Sequence, residues 1–330
     1  MTPLLTDPQK HRWLFVTGCP RSGTTFLGDM LSQPITVNPL IEPFNPHGGM
    51  PWVHQRYLYY PALRAMDSQM RANFEDFFAY RFKQELIIHV QDSRLKQLRK
   101  RLFMSGNQLA VIRAKLNPVS RFTLIKDPIA VFLTDVFLEM RPMSVFALVR
   151  HPLSYAGSLK RLGWNFEIDS MLDQPELRER YLYDFGQRAK HGRAAGLEAA
   201  AWIWLAINRY LVELKQRHPE VDLLFHEEMS KTPLASVRRC YARAGLPWDM
   251  KKEAYVRDLT EGTHKETPRA GVAHDFKRKS DDIFRQSVAL LSDQERDEVL
   301  RIVEPLAEKL YGGVEECSLT PFAHDLMALA

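Results

Sequence analysis

The sequence predicts an α/β protein, a parallel sheet flanked by helices, and three observations carry that prediction. An apolar run, Trp13-Leu14-Phe15-Val16, leads into the glycine-containing turn of "TGCPRSGTTFL" (17–27) and then into spaced apolar positions, the strand–turn–helix half of a βαβ unit. Two more continuous apolar runs, "FTLIK" (122–126) and "SVFALV" (144–149), read as buried strands. The second enters "RHPLSYAGSLKR", where Pro152 suits a first helical turn. Strands alternating with helices imply parallel pairing, because the crossover helices cover both faces.

Taken in order, residues 12–33 give strand, turn and helix. Residues 34–52, "PITVNPLIEPFNPHGGMPW", contain five prolines. Proline lacks an amide donor, so this stretch is an irregular loop or a broken edge. From about residue 55 to 104 the pattern is helical and lies over the sheet, with a break and a new N-cap near Asp92-Ser93. Within it, "SRLKQLRKRLF" (93–103) spaces Leu95, Leu98 and Leu102 between cations, which predicts a solvated helix face. Residues 176–217 read as two helices. Their apolar core, "AAAWIWLAI" (199–207), falls well short of the roughly 20 residues of a membrane span. "VDLLF" (221–225) is a short buried strand, and 233–244 and 294–310 are amphipathic helices.

Composition narrows the class. At 330 residues, with 45% hydrophobic and 26% charged, the chain can bury one large core or two modest ones. Its three cysteines, Cys19, Cys240 and Cys317, form no CxxC pair, which points away from a disulfide framework or a zinc site and toward a reducing, cytoplasmic setting. The N-terminal "MTPLLTDPQKHRW" interrupts any apolar core with prolines and charges, so no targeting segment is expected. The net charge of +5 is compatible with anionic ligands or nucleic acid and by itself decides nothing. Nucleic acid is not expected as a partner, because the cations concentrate at βα junctions and helix faces with no aromatic-basic ribbon between them.

The turn after the first strand carries the chemistry. In a Walker loop, GxxxxGK[ST], backbone amides cradle phosphates, the lysine reaches the β- and γ-phosphates, and the hydroxyl binds magnesium. Gly18 and Gly23 have that separation, but Thr24 stands in the lysine position and the cation, Arg21, lies inside the loop. Such a loop suits a single 5′-phosphate bearing one transferable group, with no metal; a plain strand-to-helix corner is the other reading. At the next βα junction Arg150 ends a strand and Ser158 follows eight residues on. Taken alone, an arginine such as Arg150 is more often a surface ion-pair partner. Together the two junctions point to a ligand with two separate phosphates at the carboxyl ends of the strands.

"PRSGTT" and "RHPLSYAGS", in this order and with "LIKDP" between them, resemble the sulfotransferases that use 3′-phosphoadenosine 5′-phosphosulfate (PAPS). The segment "LLFHEEMSKTPLASVRRCYARAGLP" is also similar to the family, and the likeness covers most of residues 12–310. It implies a P-loop NTPase-like sulfotransferase fold in one domain spanning 1–330, with helical acceptor-side regions at about 53–120 and 160–217. It further implies that Arg21, Ser22, Gly23, Thr24 and Thr25 hold the 5′-phosphosulfate, and that Arg150 and Ser158 hold the 3′-phosphate. Arg21 matches the family's loop cation and Lys126 a lysine near the same oxygens, both in catalytic roles. Phe26 stands where cytosolic members carry an adenine-stacking tryptophan, and a core role is an equal alternative. Lys277, Arg278 and Lys279 in "HDFKRKSDD" match, without its glycine, a C-terminal basic segment at the 3′-phosphate.

The chain departs from cytosolic phenol- and steroid-sulfating members at Pro128, where they carry a histidine base. It resembles instead the carbohydrate-type and bacterial members with an acidic residue after the first helix, here in "LIEPFNP". Glu42 is therefore the expected base, since a carboxylate can accept an alcohol proton, and Asp127 is the runner-up. The expected reaction is sulfuryl transfer from PAPS to a hydroxyl of a carbohydrate or glycolipid. The alternatives are a P-loop kinase-like phosphotransferase, disfavoured by Thr24, and a non-catalytic nucleotide-binding protein. Trp52, Tyr57, Tyr59, Tyr60 and Trp164 offer rings for stacking on sugars, against a core role for the same rings.

Overall fold

The strand runs expected from the sequence form one sheet. A computed structural model of the protein describes residues 11–82, 112–113, 116–164, 167–188, 194–260, 283–312 and 318–328. Strands β1 (Arg12–Gly18), β2 (Val37–Ile41), β3 (Phe122–Lys126), β4 (Met143–Val149) and β5 (Asp222–Phe225) lie in the order β2-β3-β1-β4-β5, all parallel. Their side chains alternate between two cores. Trp13 and Phe15 join Val145 and Ala147 on one face, whereas Leu14 and Val16 join Phe146 and Leu148 on the other. Burial on both faces explains why these strands read as continuous apolar runs.

The proline-rich stretch holds the edge strand. β2 includes Pro39 and pairs only with β3, and an edge is where a residue without an amide donor is tolerated in a sheet. The helical expectation beyond it needs correction. Residues 55–67 contain only a 3₁₀ turn at Leu63–Ala65, and the first helix after the loop is α2 (Ser68–Phe78), capped by the Asp67 carboxylate accepting from the Met70 amide at 2.7 Å. A tertiary contact holds this stretch open: the Gln174 side chain donates to the Tyr57 carbonyl and accepts from the Tyr59 amide. The expected break at Asp92-Ser93 and the basic run 93–103 lie outside the described residues.

Helix α1 (Thr24–Leu31) follows the glycine turn, α3 (Thr134–Met140) precedes β4, and α4 (Pro152–Leu162) follows it. The expected pair of helices over 176–217 is three: α5 is Asp169–Leu172, and then come α6 (Pro175–Tyr181), α7 (Phe185–Arg188) and α8 (Gly196–Arg217). The turn between α6 and α7 is pinned where Asp184 accepts from Arg188, four residues on, at 2.7 Å and from Arg209 at 2.8 Å, the second a contact with no local sequence signal. After β5 come α9 (His226–Lys231), α10 (Pro233–Ala244), α11 (Met250–Thr260), α12 (Ile283–Val288), α13 (Asp293–Leu310) and α14 (Pro321–Ala328). The Ser292–Glu295 capping box starts α13. Helix α8 buries Trp202 and Trp204, and the Trp204 indole donates to the Arg150 carbonyl at 2.7 Å, fixing the end of β4.

Helix α12 packs directly on α4 at Gly157, where a Cβ would lie 1.9 Å from the Ser287 carbonyl oxygen. Gly157→Ala must therefore push the α12 backbone away, at about 1–3 kcal/mol by the usual cost of overpacking. A lowered urea midpoint is expected, and an unchanged one would show that α12 moves freely.

Candidate active site

The loop residues Arg21 to Thr25 and Glu42, Lys126, Asp127 and Arg150 stand at the carboxyl ends of strands. β1 lies between β3 and β4, so the chain reverses direction across the sheet there, and ligands of open α/β sheets bind outside the strand ends at such a point. Arg21 to Thr25 follow β1, Glu42 follows β2, Lys126 and Asp127 close β3, and Arg150 follows β4.

The loop conformation follows from its residue types. Gly23 sits at φ 96° as the N-cap of α1, and a Cβ there would meet the Met229 methyl at 2.8 Å. Arg21 takes φ 68°, a left-handed conformation uncommon for non-glycine residues and frequent where structure serves function. Ser22 is fully buried, and its Oγ has no hydrogen-bond partner among the described residues. The first-turn amides of α1, from Thr24 and Thr25 onward, have no intrahelical acceptor. An anion at the loop would satisfy both, so the residues fit a phosphate. The Arg21 guanidinium lies 5.5 Å from the centre of the Trp164 ring.

Arg150 is 3% exposed and ties three segments together. Its Nε donates to Ser154 Oγ at 2.9 Å, Nη1 to the Arg21 carbonyl at 2.7 Å, and Nη2 to Ser287 Oγ at 3.1 Å. Ser158 is buried two turns along α4. Behind Arg150, Glu227 is buried and accepts from the His151 amide at 2.9 Å and the Tyr311 hydroxyl at 3.3 Å. Burial raises the Glu227 pKa, and burial with the nearby Arg150 charge lowers that of His151 to about 3.

Glu42 and Lys126 meet although 84 residues separate them: Lys126 Nζ lies 2.7 Å from Glu42 Oε1. The β2–β3 register sets Ile41 opposite Lys126, and the Glu42 amide donates to the Lys126 carbonyl at 2.8 Å, which brings both side chains to one strand end. Asn45 donates to the second carboxylate oxygen at 3.1 Å. Glu42 itself has φ 49°. Glu42 and Asn45 border a cleft of about 400 Å³ whose walls also include Pro20 of the loop, Arg56, Tyr57 and Trp164.

Asp127 is used differently. Its carboxylate is fully buried and accepts from the amides of Phe44 at 2.8 Å, Ile129 at 2.9 Å and Ala130 at 3.3 Å. Burial and the neighbouring Glu42 charge push its pKa up to about 7. Of the aromatic candidates, Tyr57 and Trp164 line the cleft, whereas Trp52 packs on Phe44 and Phe74, and Tyr59 on Phe132 and Tyr181. Tyr60 is half-buried against the larger core, and Phe26 against the smaller one. Lys277, Arg278, Lys279 and Cys317 lie outside the described residues. Asn45, Arg56 and Ser287 had escaped sequence reasoning. Asn45, three residues after Glu42 in a turn, carried a weak local signal, and Ser287, 137 residues from Arg150, carried none.

Among the described residues, no group of three or more His, Cys, Asp or Glu side chains is placed to hold a metal ion, and no helix is long and apolar enough to cross a membrane. Solved structures with similar backbones include the sulfotransferase domain from the curacin biosynthetic pathway, at 12% identity over 90% of this chain and 98% of that one, TM-score 0.43. Another is the sulfotransferase STF9 of Mycobacterium avium, at 16% identity over 86% and 77%, TM-score 0.37. A third is mouse sulfotransferase SULT7A1 complexed with PAP, at 12% identity over 90% and 86%, TM-score 0.36. No curated protein matches the sequence. The profile of the Sulfotransferase family matches residues 14–250, from β1 through the loop, both βα junctions and α10, and the chain belongs to that family.

Proposed function

We propose that the protein transfers a sulfuryl group from PAPS to a hydroxyl of a carbohydrate or glycolipid acceptor, without a metal and in the cytoplasm. The observation that carries this reading is the Glu42 carboxylate, paired with the buried Lys126 ammonium, on the wall of a cleft that also includes Pro20 of the loop after β1. It puts a carboxylate and an ammonium where a loop-bound donor and an acceptor meet. PAPS, when bound, supplies an activated sulfuryl group on a 5′-phosphate leaving group.

In this reading Arg21, Ser22, Gly23, Thr24 and Thr25 hold the 5′-phosphosulfate, and Arg150 and Ser158 hold the 3′-phosphate. Arg278 and Lys279 add positive charge there. Glu42 takes the acceptor's hydroxyl proton, while Lys126 and Arg21 offset the negative charge that collects on the departing oxygen. The carbohydrate reading rests on the acidic base after the first helix. Residues 1–330 form one domain in this proposal, with the acceptor side drawn from 53–120 and 160–217.

Incubation with labelled PAPS and panels of glycans, phenols and small alcohols, read by mass spectrometry, tests the activity directly. Adenosine 3′,5′-bisphosphate should bind at least about tenfold more tightly than AMP, because a charge-assisted contact to the 3′-phosphate adds roughly 1.5–3 kcal/mol. Equal affinities by calorimetry would remove the 3′-phosphate site. Turnover should also persist in excess EDTA, and complete loss restored by magnesium would favour a kinase.

A further inference from the structure

The cleft beside Glu42 shares one wall residue with a second, larger space. A polar groove of about 1000 Å³ runs along residues 46–56 and is closed on its other side by Glu167, Ser170 and Asp173. Arg56 lines both spaces. It is half-buried between Val53 and Tyr57, both buried, and the Gln174 clamp on the Tyr57 carbonyl and Tyr59 amide holds its backbone in place.

Arg56 also stands apart in charge. Lys126 is paired with Glu42, and Arg150 is bound by Ser154, Ser287 and the Arg21 carbonyl. Arg56 has no hydrogen bond or ion pair among the described residues, and neither Glu167 nor Asp173 in the groove pairs with it. Its described electrostatic neighbour is the Tyr57 phenol, whose pKa burial raises well above the ordinary range, so it carries no balancing charge. A guanidinium fork with no counterion among the described residues, lining two openings at once, is matched by an oxyanion.

We propose that Arg56 is a specificity-determining residue that grips an anionic group, carboxylate or phosphate, on the acceptor. The acceptor hydroxyl lies beside Glu42 and the rest of the molecule extends into the groove. This rests on the sulfuryl-transfer reading of the cleft. The physical need is plain: an acidic acceptor entering beside a bisphosphate nucleotide is repelled unless a cation on the acceptor side offsets its charge. Glu167 and Asp173 further along the groove disfavour a polyanion and accept hydrogen bonds from neutral hydroxyls, so the anionic group belongs at the junction.

Calorimetry on the full chain saturated with adenosine 3′,5′-bisphosphate tests this with three probes: glucuronic acid, glucose 6-phosphate and glucose. At least one acidic probe should bind about tenfold more tightly than glucose, and which one does so identifies carboxylate or phosphate. In Arg56→Gln the preference should disappear, and in Arg56→Lys it should be partly kept. If both acidic probes bind no better than glucose to the wild type, or if the preference survives Arg56→Gln, the proposal is overturned. Failure of the bisphosphate to bind would instead count against the sulfuryl-transfer reading, and the probe preference on the same protein would still decide the role of Arg56.

Discussion

Glu42→Gln is expected to lower kcat roughly 10²- to 10⁴-fold, the usual worth of a general base, and to leave bisphosphate affinity nearly unchanged. The amide is isosteric, so its oxygen can still accept from Lys126 or Asn45, now 2.7 and 3.1 Å from the carboxylate. What it loses is the capacity to take a proton. Asp127→Asn should behave in the opposite way. Its two oxygens serve three backbone amides, and an amide group in their place turns one acceptor into a donor facing a donor. A buried polar group left unsatisfied costs about 1–3 kcal/mol, so the expected loss is in stability, with a much smaller loss of turnover. Turnover at saturating PAPS and thermal midpoints of both variants separate the two roles. Near-normal kcat in Glu42→Gln, beside a folded, nucleotide-binding but inactive Asp127→Asn, would make Asp127 the base.

Arg150→Ala should weaken bisphosphate binding at least about tenfold and also destabilise the fold. Removing the guanidinium strands Ser154 Oγ, Ser287 Oγ and the Arg21 carbonyl in a buried setting. Hydrogen bonds from a charged donor are worth about 1.5–3 kcal/mol each, and those that share one residue do not simply add. A loss of about 3 kcal/mol or more is the expected outcome in urea titration. Arg150→Lys discriminates further, because a compact ammonium cannot span three separated acceptors. It should keep part of the nucleotide affinity and lose the tie to α12. If Arg150→Ala were as stable as the wild type and bound the bisphosphate equally well, Arg150 would be neither the clasp nor the 3′-phosphate ligand.

How much of this was legible beforehand follows from the range of each interaction. A strand buried on both faces is written in a few consecutive residues, and Phe122–Lys126 is the sheet element that "FTLIK" predicts. The glycine turn and proline-started helices α4 and α10 are likewise local signals. Residues 55–67 looked helical because their apolar spacing allows it. A tertiary clamp from Gln174, more than a hundred residues away, binds the Tyr57 carbonyl and the Tyr59 amide instead. Short-range preferences of that size are readily overridden by packing.

The sequence by itself determined the alternation of strands and helices, the glycine-bounded turn at 17–27 between a strand and a helix, and the places of Lys126 and Arg150 at strand ends. These depend on side-chain period and turn chemistry within about ten residues. Only the tertiary structure decided that Glu42 pairs with Lys126, that Asp127 is consumed by backbone amides, that Ser287 closes on Arg150, and that Arg56 bridges two openings with no counterion among the described residues. Each of those depends on which strands lie side by side and in what register. That is settled by burying both faces of the sheet at once, and no short segment encodes it.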